Sequence, residues 1–490
     1  MRKILFKLLA MLIVATLTVS AVGCIGTPPD NTIYVGNTAG TTGALTTIGA
    51  PFNFGIEAAF AAYNKADGYT GLNAEGKPFG AAQNVKLKHY DDGGIPDQSK
   101  TLTEKLIHDD QVFAIVGNFA AICVEANLDV IKEANVPMIY AAAGNDILHN
   151  DNAITLADRG IFPVQPLNKT EGRMLVLRAF APVEAGGLAA TKVGVLSDAA
   201  NEASITMLRG INAELETMPE AQKTNVIVQE VSGTNYSGAV NALKNAKCDV
   251  IVITSTGENY LVALKELAKA EYACKVLTTY NNASTAAFNQ GTALAEEYAN
   301  VFKYVNLYSQ AWLDLTSTTE FYKNTEHALY NIYYNTYLAL YQTSFGMTEE
   351  VAKATLDTLG IPGFKNEYWT VAENLYDYAL ESGKDAAAAY TMSYDAYALA
   401  GYIAGDLFCQ GLEALEESEL ALTRENYVDI MESKEYKIVT ANNISFANGL
   451  RQGVDSFALT QITSLNGGAA TAATVHTLTT LDAYRALIAG

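Results

Sequence analysis

The sequence predicts an α/β protein of two lobes, each a parallel sheet flanked by helices. Short apolar runs of strand length alternate with helical stretches through the first half, the pattern of repeated βαβ units. These strands fall into two sets of four, parted near Phe162–Glu171. The chain has 490 residues, 49% of them hydrophobic and 17% charged, which is long enough for more than one core and apolar enough to fill them.

The chain opens on Arg2, Lys3 and Lys7 beside an apolar run from Leu8 to Val22, and Ala21-Val22-Gly23-Cys24 sets small residues before a cysteine. This is the tripartite build of a secretory signal. Its end resembles a bacterial lipobox, whose cysteine is acylated and becomes the new N-terminus, with Ala21 where leucine is usual. An ordinary signal peptide with an incidental cysteine is the alternative. An uncleaved anchor fits less well, because a span needs roughly 20 apolar residues. Residues 1–23 are thus expected to be a signal, Cys24 a lipidated cysteine and residues 24–30 a linker. The body of the protein is expected outside the cytoplasm, anchored to the cell membrane.

Strands are expected at Thr32–Gly36, Val85–Tyr90, Ala114–Val116 and Met138–Tyr140, then at Lys192–Leu196, Val226–Val231, Val250–Thr254 and Val276–Thr279. Helical patterns lie between them at Phe54–Lys65, Gln98–Asp109, Ala126–Ala134, Ser204–Glu216, Tyr236–Ala246 and Asn259–Ala270. Ligands of such sheets bind beyond the carboxyl ends of the strands, where helix N-termini and free backbone N–H groups converge. Those ends are Asn37–Gly43, Asp91–Gly94, Gly117–Ile122, Tyr140–Asn145, Ser197–Glu202, Ser232–Tyr236, Ser255–Asn259 and Tyr280–Ser284. Their small and polar residues let a ligand approach the backbone, and they equally suit any tight βα turn.

From Ala311 to Gly411 the chain is helical and dense in tyrosine. Tyr330, Tyr333, Tyr334, Tyr337 and Tyr341 recur at helical spacing and read as helix packing, with a turn at Pro362-Gly363. Strands return at Ile444–Phe446 and Ser456–Ile462, and the Gly/Ala/Thr-rich stretch Asn466–Val475 is expected to be irregular.

The net charge of −21, about −24 once Arg2, Lys3 and Lys7 are removed, argues against nucleic acid and anionic lipid headgroups as partners. Beyond Cys24 lie Cys123, Cys248, Cys274 and Cys409, with no C-x₂-C pair and no histidine near a cysteine, so neither a metal nor a cofactor is expected. Cys248 and Cys274 each directly precede or abut an expected strand. They form a disulfide if those strands are level parallel neighbours, or remain two free buried thiols. H-E-x-x-H, G-x-S-x-G, the P-loop lysine and the dinucleotide fingerprint are all missing, which argues against an enzyme.

In order and spacing, several segments are similar to those of the periplasmic branched-chain amino-acid (Leu/Ile/Val) binding proteins, the type I solute-binding receptors of ABC importers. They are Val35-Gly36 with the loop Gly40–Gly43, Gly55-Ile56-Glu57-Ala58-Ala59 with Asn64, and Tyr90-Asp91-Asp92 with Pro96 and Gln98. Ala114-Ile115-Val116-Gly117, Asn135-Val136-Pro137-Met138-Ile139, Ser393-Tyr394-Asp395-Ala396 and Ile444–Gly449 follow, so the likeness runs from Asn31 to Ile462. The resemblance implies a two-lobed periplasmic-binding-protein-like type I fold with three hinge crossovers. Residues 31–162 and 308–435 would form lobe 1, and 163–307 and 436–490 lobe 2. It further implies a monomer that closes on a small-molecule ligand in the inter-lobe cleft and docks on ABC permease subunits.

The ligand-binding positions it implies are Ala120, Ala121, Ala142, Ala143, Gly144, Glu202, Tyr280 and Asn281. At Ala121 and Gly144 the family's carboxylate-binding hydroxyls are replaced, and its acid for the α-ammonium is replaced around Tyr280-Asn281-Asn282. Its aromatic gate aligns near Glu202, which either takes over the ammonium or caps the helix starting at Ser204. Gly94 and Ala120 stand where the family carries a small disulfide. The implied cargo is a small polar solute, an amino acid or a derivative. A ligand-sensing or scaffold receptor on the same fold is the alternative.

Overall fold

The computed structural model describes residues 31–290, 293–313, 338–358, 367–393, 395–439, 441, 443–465 and 467–489. The signal region with Cys24, the tyrosines at 330, 333, 334 and 337, and the Pro362-Gly363 turn lie outside the described residues. Among the described residues no helix is long and apolar enough to cross a membrane.

The first sheet holds β1 (Thr32–Ala39), β2 (Asn84–Asp91), β3 (Ile115–Val116), β4 (Met138–Ile139) and β5 (Ile161–Phe162), all parallel, in the order β2-β1-β3-β4-β5. Helices α1 (Thr46–Lys65), α2 (Pro96–His108) and α3 (Ala121–Glu133) make its crossovers. The second sheet holds β6 (Val193–Asp198), β7 (Val226–Val231), β8 (Val250–Ile253), β9 (Cys274–Thr278), β10 (Val305–Ala311), β11 (Ser456–Thr463) and β12 (Thr471–Thr480). Its order is β12-β11-β10-β9-β8-β6-β7. Helices α4 (Asn168–Phe180), α5 (Glu202–Leu215), α6 (Ser237–Asn245) and α7 (Gly257–Lys269) belong to it. The parallel run β7-β6-β8-β9-β10 repeats the strand order of the first sheet. Strands β6 and β8 are buried along their whole length, as strands covered on both faces must be.

Each expected strand of the first half is found within a few residues, and β7 lies where it was expected. Among the strands not anticipated are β5 and β10. β5 has two residues, too few for a period to register. β10 occupies the expected lobe boundary at Leu307–Tyr308 and pairs with β9 on one side and β11 on the other, so the chain leaves the second sheet only after Ala311. The short pair Glu435–Tyr436 with Ile444–Ser445 stays on the first core, where Phe446 meets Phe162 edge-on at 5.0 Å. The chain then passes beside the earlier connection, and the Val454 N–H donates to the Val164 carbonyl at 2.8 Å.

The stretch expected to be irregular at Asn466–Val475 is corrected, since from Thr471 it forms β12, an antiparallel edge strand on β11. Its threonines are good strand formers, but their alternation of exposed and half-buried positions carries no apolar signal. The disulfide alternative is corrected too. Cys248 and Cys274 are free and buried, as are Cys123 and Cys409. Val250 is level with Lys275, which sets Asp249 rather than Cys248 beside Cys274.

The late helices α8 (Glu367–Glu381), α9 (Ala396–Glu417) and α10 (Arg424–Met431) precede α11 (Leu481–Ala489). α9 starts at Asp395, whose carboxylate accepts from the N–H groups of Tyr397 and Ala398 at 2.9 Å each. It then lies directly on α1. A Cβ at Gly55 would fall on the Ala398 carbonyl, and one at Gly401 on the Phe52 carbonyl. Gly401→Ala is therefore expected to lower stability by about 1–3 kcal/mol in urea denaturation. Gly238→Ala, on an exposed helix with open space around it, is expected to raise stability by up to about 1 kcal/mol.

Candidate ligand cleft

In both sheets the strand order reverses, between β1 and β3 and between β6 and β8, and crevices open at such reversals. The first reversal stands on a buried polar network. Asn37, Thr38, Ser99, Asn118 and Asn127 are all fully buried. Thr38 Oγ1 and Ser99 Oγ are 2.8 Å apart, Asn118 Nδ2 donates to Thr38 Oγ1 at 2.8 Å, and Asn127 Nδ2 donates to Ser99 Oγ at 2.9 Å. Asn37 donates to Asn53 at 2.7 Å, and its Oδ1 lies 2.9 Å from His89 Nδ1. Burial lowers the His89 pKa from the usual value, which favours the neutral ring. In the acidic turn, Asp91 accepts from the N–H groups of Thr41 and Gly93 at 3.0 Å and from the Thr42 hydroxyl, and Asp92 accepts from Gly94 N at 2.8 Å. The turn thus holds the β1 loop in place.

The second reversal is built alike. Ser204 Oγ reaches Thr254 Oγ1 at 2.6 Å and Ser197 Oγ at 3.2 Å, and it accepts from Asp198 N at 2.8 Å. Asp198 accepts from Ala200 N at 2.9 Å and from Asn259 Nδ2 at 2.6 Å. Hydroxyls and amides at both edges are therefore largely committed to one another, and what they expose is mainly backbone and small side chains.

Of the positions singled out from the sequence, Ala120, Ala121 and Ala142 come together. The Ala142 N–H donates to the Asn118 carbonyl at 2.8 Å, which zips the loops after β3 and β4. Ala120 is the N-cap of α3 at φ 72 without a side-chain cap, and the neighbouring Ile122 is 58% exposed. Ala143 and Gly144 are buried under the start of α4, where the Asn168 N–H donates to the Gly144 carbonyl at 2.9 Å. Tyr280 opens the loop after β9 and is half-buried, with Asn281 exposed beside it. Glu202 is exposed in the first turn of α5 and pairs with Arg209 at 3.0 Å. Of the two alternatives for Glu202, the helix cap belongs to Asn201, whose side chain accepts from Ser204 N at 3.1 Å. Glu202, Lys169 and Arg209 all act electrostatically on Asp146, in the loop after β4, so Glu202 does stand near the first lobe. Burial is the leading influence on the Asp146 carboxyl and pushes its pKa up.

A second group joins the lobes, and of its members only Tyr280 was singled out from the sequence as a ligand-binding position. Tyr280 OH donates to the Pro166 carbonyl at 3.0 Å and accepts from Gln165 Nε2 at 3.4 Å, while Tyr140 OH donates to Gln165 Oε1 at 3.5 Å. Tyr140 also meets Trp312 and Phe52, with ring centroids 6.2 and 5.8 Å away. Behind Tyr280, the fully buried Glu171 accepts from Tyr280 N at 2.7 Å and from Thr279 Oγ1 at 2.8 Å. Burial pushes its pKa up to about 8 against those hydrogen bonds, so the carboxyl is mostly protonated at neutral pH. Among the described residues no group of three or more His, Cys, Asp or Glu side chains is placed to hold a metal ion. A cavity of about 590 Å³ lined by Asn31, Ile33, Phe79, Gln111 and Leu422 lies at the amino end of β1, the wrong end of a parallel sheet for the cleft.

This geometry agrees with the comparisons. The sequence model of the periplasmic binding protein family matches residues 32–342, more than half of the chain, and the chain belongs to that family. It is therefore a solute-binding protein of the two-lobed type I fold, not an enzyme, and the family acts outside the cytoplasm. Similar solved structures include an ABC transporter substrate-binding protein from Sphaerobacter thermophilus, at 15% identity and TM-score 0.61, covering 91% of this chain and 98% of that one. A solute-binding protein of an ABC transporter from Rhodopseudomonas palustris, in complex with 3,4-dihydroxybenzoic acid, is similar at 15% identity and TM-score 0.58, covering 92% and 98%. A leucine-binding protein from Thermotoga maritima is similar at 15% identity and TM-score 0.56, covering 92% and 99%. No curated protein matches the chain.

The raised Glu171 pKa carries a pH dependence. The folded state holds this proton while an unfolded glutamate loses it near pH 4.5. The stabilisation is complete below that value and is lost as pH rises through about 8. Chemical denaturation between pH 5 and 9 is expected to show a decline on the order of a few kcal/mol, and Glu171→Gln is expected to flatten it.

Proposed function

We propose that the protein is the extracytoplasmic substrate-binding component of an ABC importer, held to the membrane by lipid on Cys24. It captures a small polar solute, an amino acid or a derivative, between the lobes and passes it to the permease. The observation that carries this reading is the repeated strand order, which gives each lobe one reversal point with a sealed polar floor beside the connecting segments. Ala120, Ala121, Ala142, Tyr280 and Asn281 then offer the ligand small walls, backbone groups and one aromatic ring. Ala143 and Gly144 shape the site from beneath, and Glu202 stands at its edge.

The branched-chain specificity does not follow. Ala121 and Gly144 have no hydroxyl to give a carboxylate, and the ring of Tyr280 stands where an acid would hold an ammonium. A hydrogen bond to a charged group contributes roughly 1.5–3 kcal/mol, so losing them together weakens a free amino acid by orders of magnitude. Neighbours of this fold named for leucine and for 3,4-dihydroxybenzoic acid support a scaffold that accepts different solutes. Ligand binding selects the closed form by its differential affinity for it, and that form presents the docking surface to the permease.

A thermal-shift screen of the secreted protein against amino acids, small peptides, nucleosides and sugars tests the reading, since a bound solute raises the melting temperature by mass action. A shift confined to one class is expected. Tight binding of leucine, isoleucine or valine would overturn the altered specificity, and no shift with any class would overturn the receptor. Palmitate labelling of the wild type but not of Cys24→Ser is expected if the anchor is a lipid.

A further inference from the structure

Gln165 stands where the connections between the lobes meet. It belongs to the segment joining β5 to α4. The connection through Gly453 crosses it so closely that a Cβ at Gly453 would fall on the Gln165 carbonyl, and Val454 bonds to Val164 beside it. The connection that leaves β10 starts with Trp312, whose ring meets Tyr140. The half-buried side chain of Gln165 then reaches a tyrosine of each lobe. Its Oε1 accepts from Tyr140 OH at 3.5 Å, at the end of β4, and its Nε2 donates to Tyr280 OH at 3.4 Å, beyond β9. The Tyr280 proton is spent on the Pro166 carbonyl at 3.0 Å, so at Gln165 its oxygen must accept. The network thereby fixes which way the amide points.

Tyr140 is placed for this link at a cost. Its φ of 52 puts a bulky residue in the left-handed region, which such residues keep only where their surroundings hold them. Its N–H donates to the Phe162 carbonyl at 3.0 Å, and Phe52 and Trp312 pack its ring. Both Gln165 bonds are nevertheless long, since such bonds usually measure about 2.7–3.0 Å. Closing the cleft brings the carboxyl ends of the two sheets together, and with them Tyr140 and Tyr280. The slack on either side of Gln165 is then taken up. A contact made better in one of two forms draws the equilibrium towards that form.

We propose that Gln165 is a positioning residue for closure: its amide ties a tyrosine of one lobe to a tyrosine of the other, and the tie tightens as the cleft closes. It thereby sets the closed fraction of the empty receptor, on which the apparent affinity for any solute depends. The inference rests on the receptor reading above and deepens it by naming a residue that governs the motion.

Cross-linking across the cleft tests this without a solute. Ile122→Cys, in the first turn of α3, and Ala200→Cys, in the loop after β6, place one exposed thiol on each lobe. In a full chain carrying Cys24→Ser, a short bis-maleimide joins them at a rate that follows the closed fraction. Gln165→Leu is expected to slow this rate threefold or more. Tyr140→Phe keeps the ring, so it reads the same tie even if Gln165→Leu does not fold. It is expected to slow the rate alone and to add nothing to Gln165→Leu, because the two share one bond. A role in packing alone gives the opposite sign, since a loosened junction lets the rims meet more often. An unchanged or faster rate in either variant, or slowing by both that adds up, would overturn the proposal. If the wild-type rims do not cross-link at all, the proposal falls, and the solute screen separately decides the receptor reading.

Discussion

Two helix backbones in contact hold this fold together. α1 and α9 come from distant parts of the chain, and glycines at 55 and 401 let each press against a carbonyl of the other. Glycine inside a helix costs about 1 kcal/mol relative to alanine, a cost offset by the packing that the missing Cβ allows. Because α9 must return to α1, the first lobe is made from separated stretches, and the chain has to leave it and come back. The connections therefore run side by side between the lobes, as the Val454–Val164 hydrogen bond records. Parallel connections of that kind resist twisting and permit bending, the hinge motion a closing receptor uses.

The first-half strands were legible because their signal is local. A run such as Val250–Ile253 reads as a buried strand whatever its neighbours. Helix limits were less so. The helix expected at Phe54–Lys65 starts at Thr46 and runs through Pro51. β12 was hidden because threonine and alanine on an edge strand show no apolar period, and its pairing with β11 supplies what composition withholds. At the site, the small residues of the βα loops were visible in the text, whereas Glu171 was not. It is a single buried polar residue without a repeat or a partner nearby in sequence, and only the packing of α4 on the second sheet brings it to Thr279 and Tyr280.

The polar floors explain how one architecture serves different cargoes. The Thr38–Asn118–Asn127 and Ser197–Ser204–Thr254 networks spend their hydrogen-bonding capacity on rigidity. Recognition is left to the few groups not so committed, which sit in loops and at the lobe junction. Substitutions among those groups leave the sheets undisturbed.

The four described cysteines are all buried as free thiols, and burial raises the pKa of each. Thiol–disulfide exchange proceeds through the thiolate, so each is protected both by access and by protonation. A chain exported into an oxidising compartment can therefore reach its final form without an oxidant or an isomerase for these residues. Their exposure during unfolding, rather than the native state, sets when oxidation becomes a hazard.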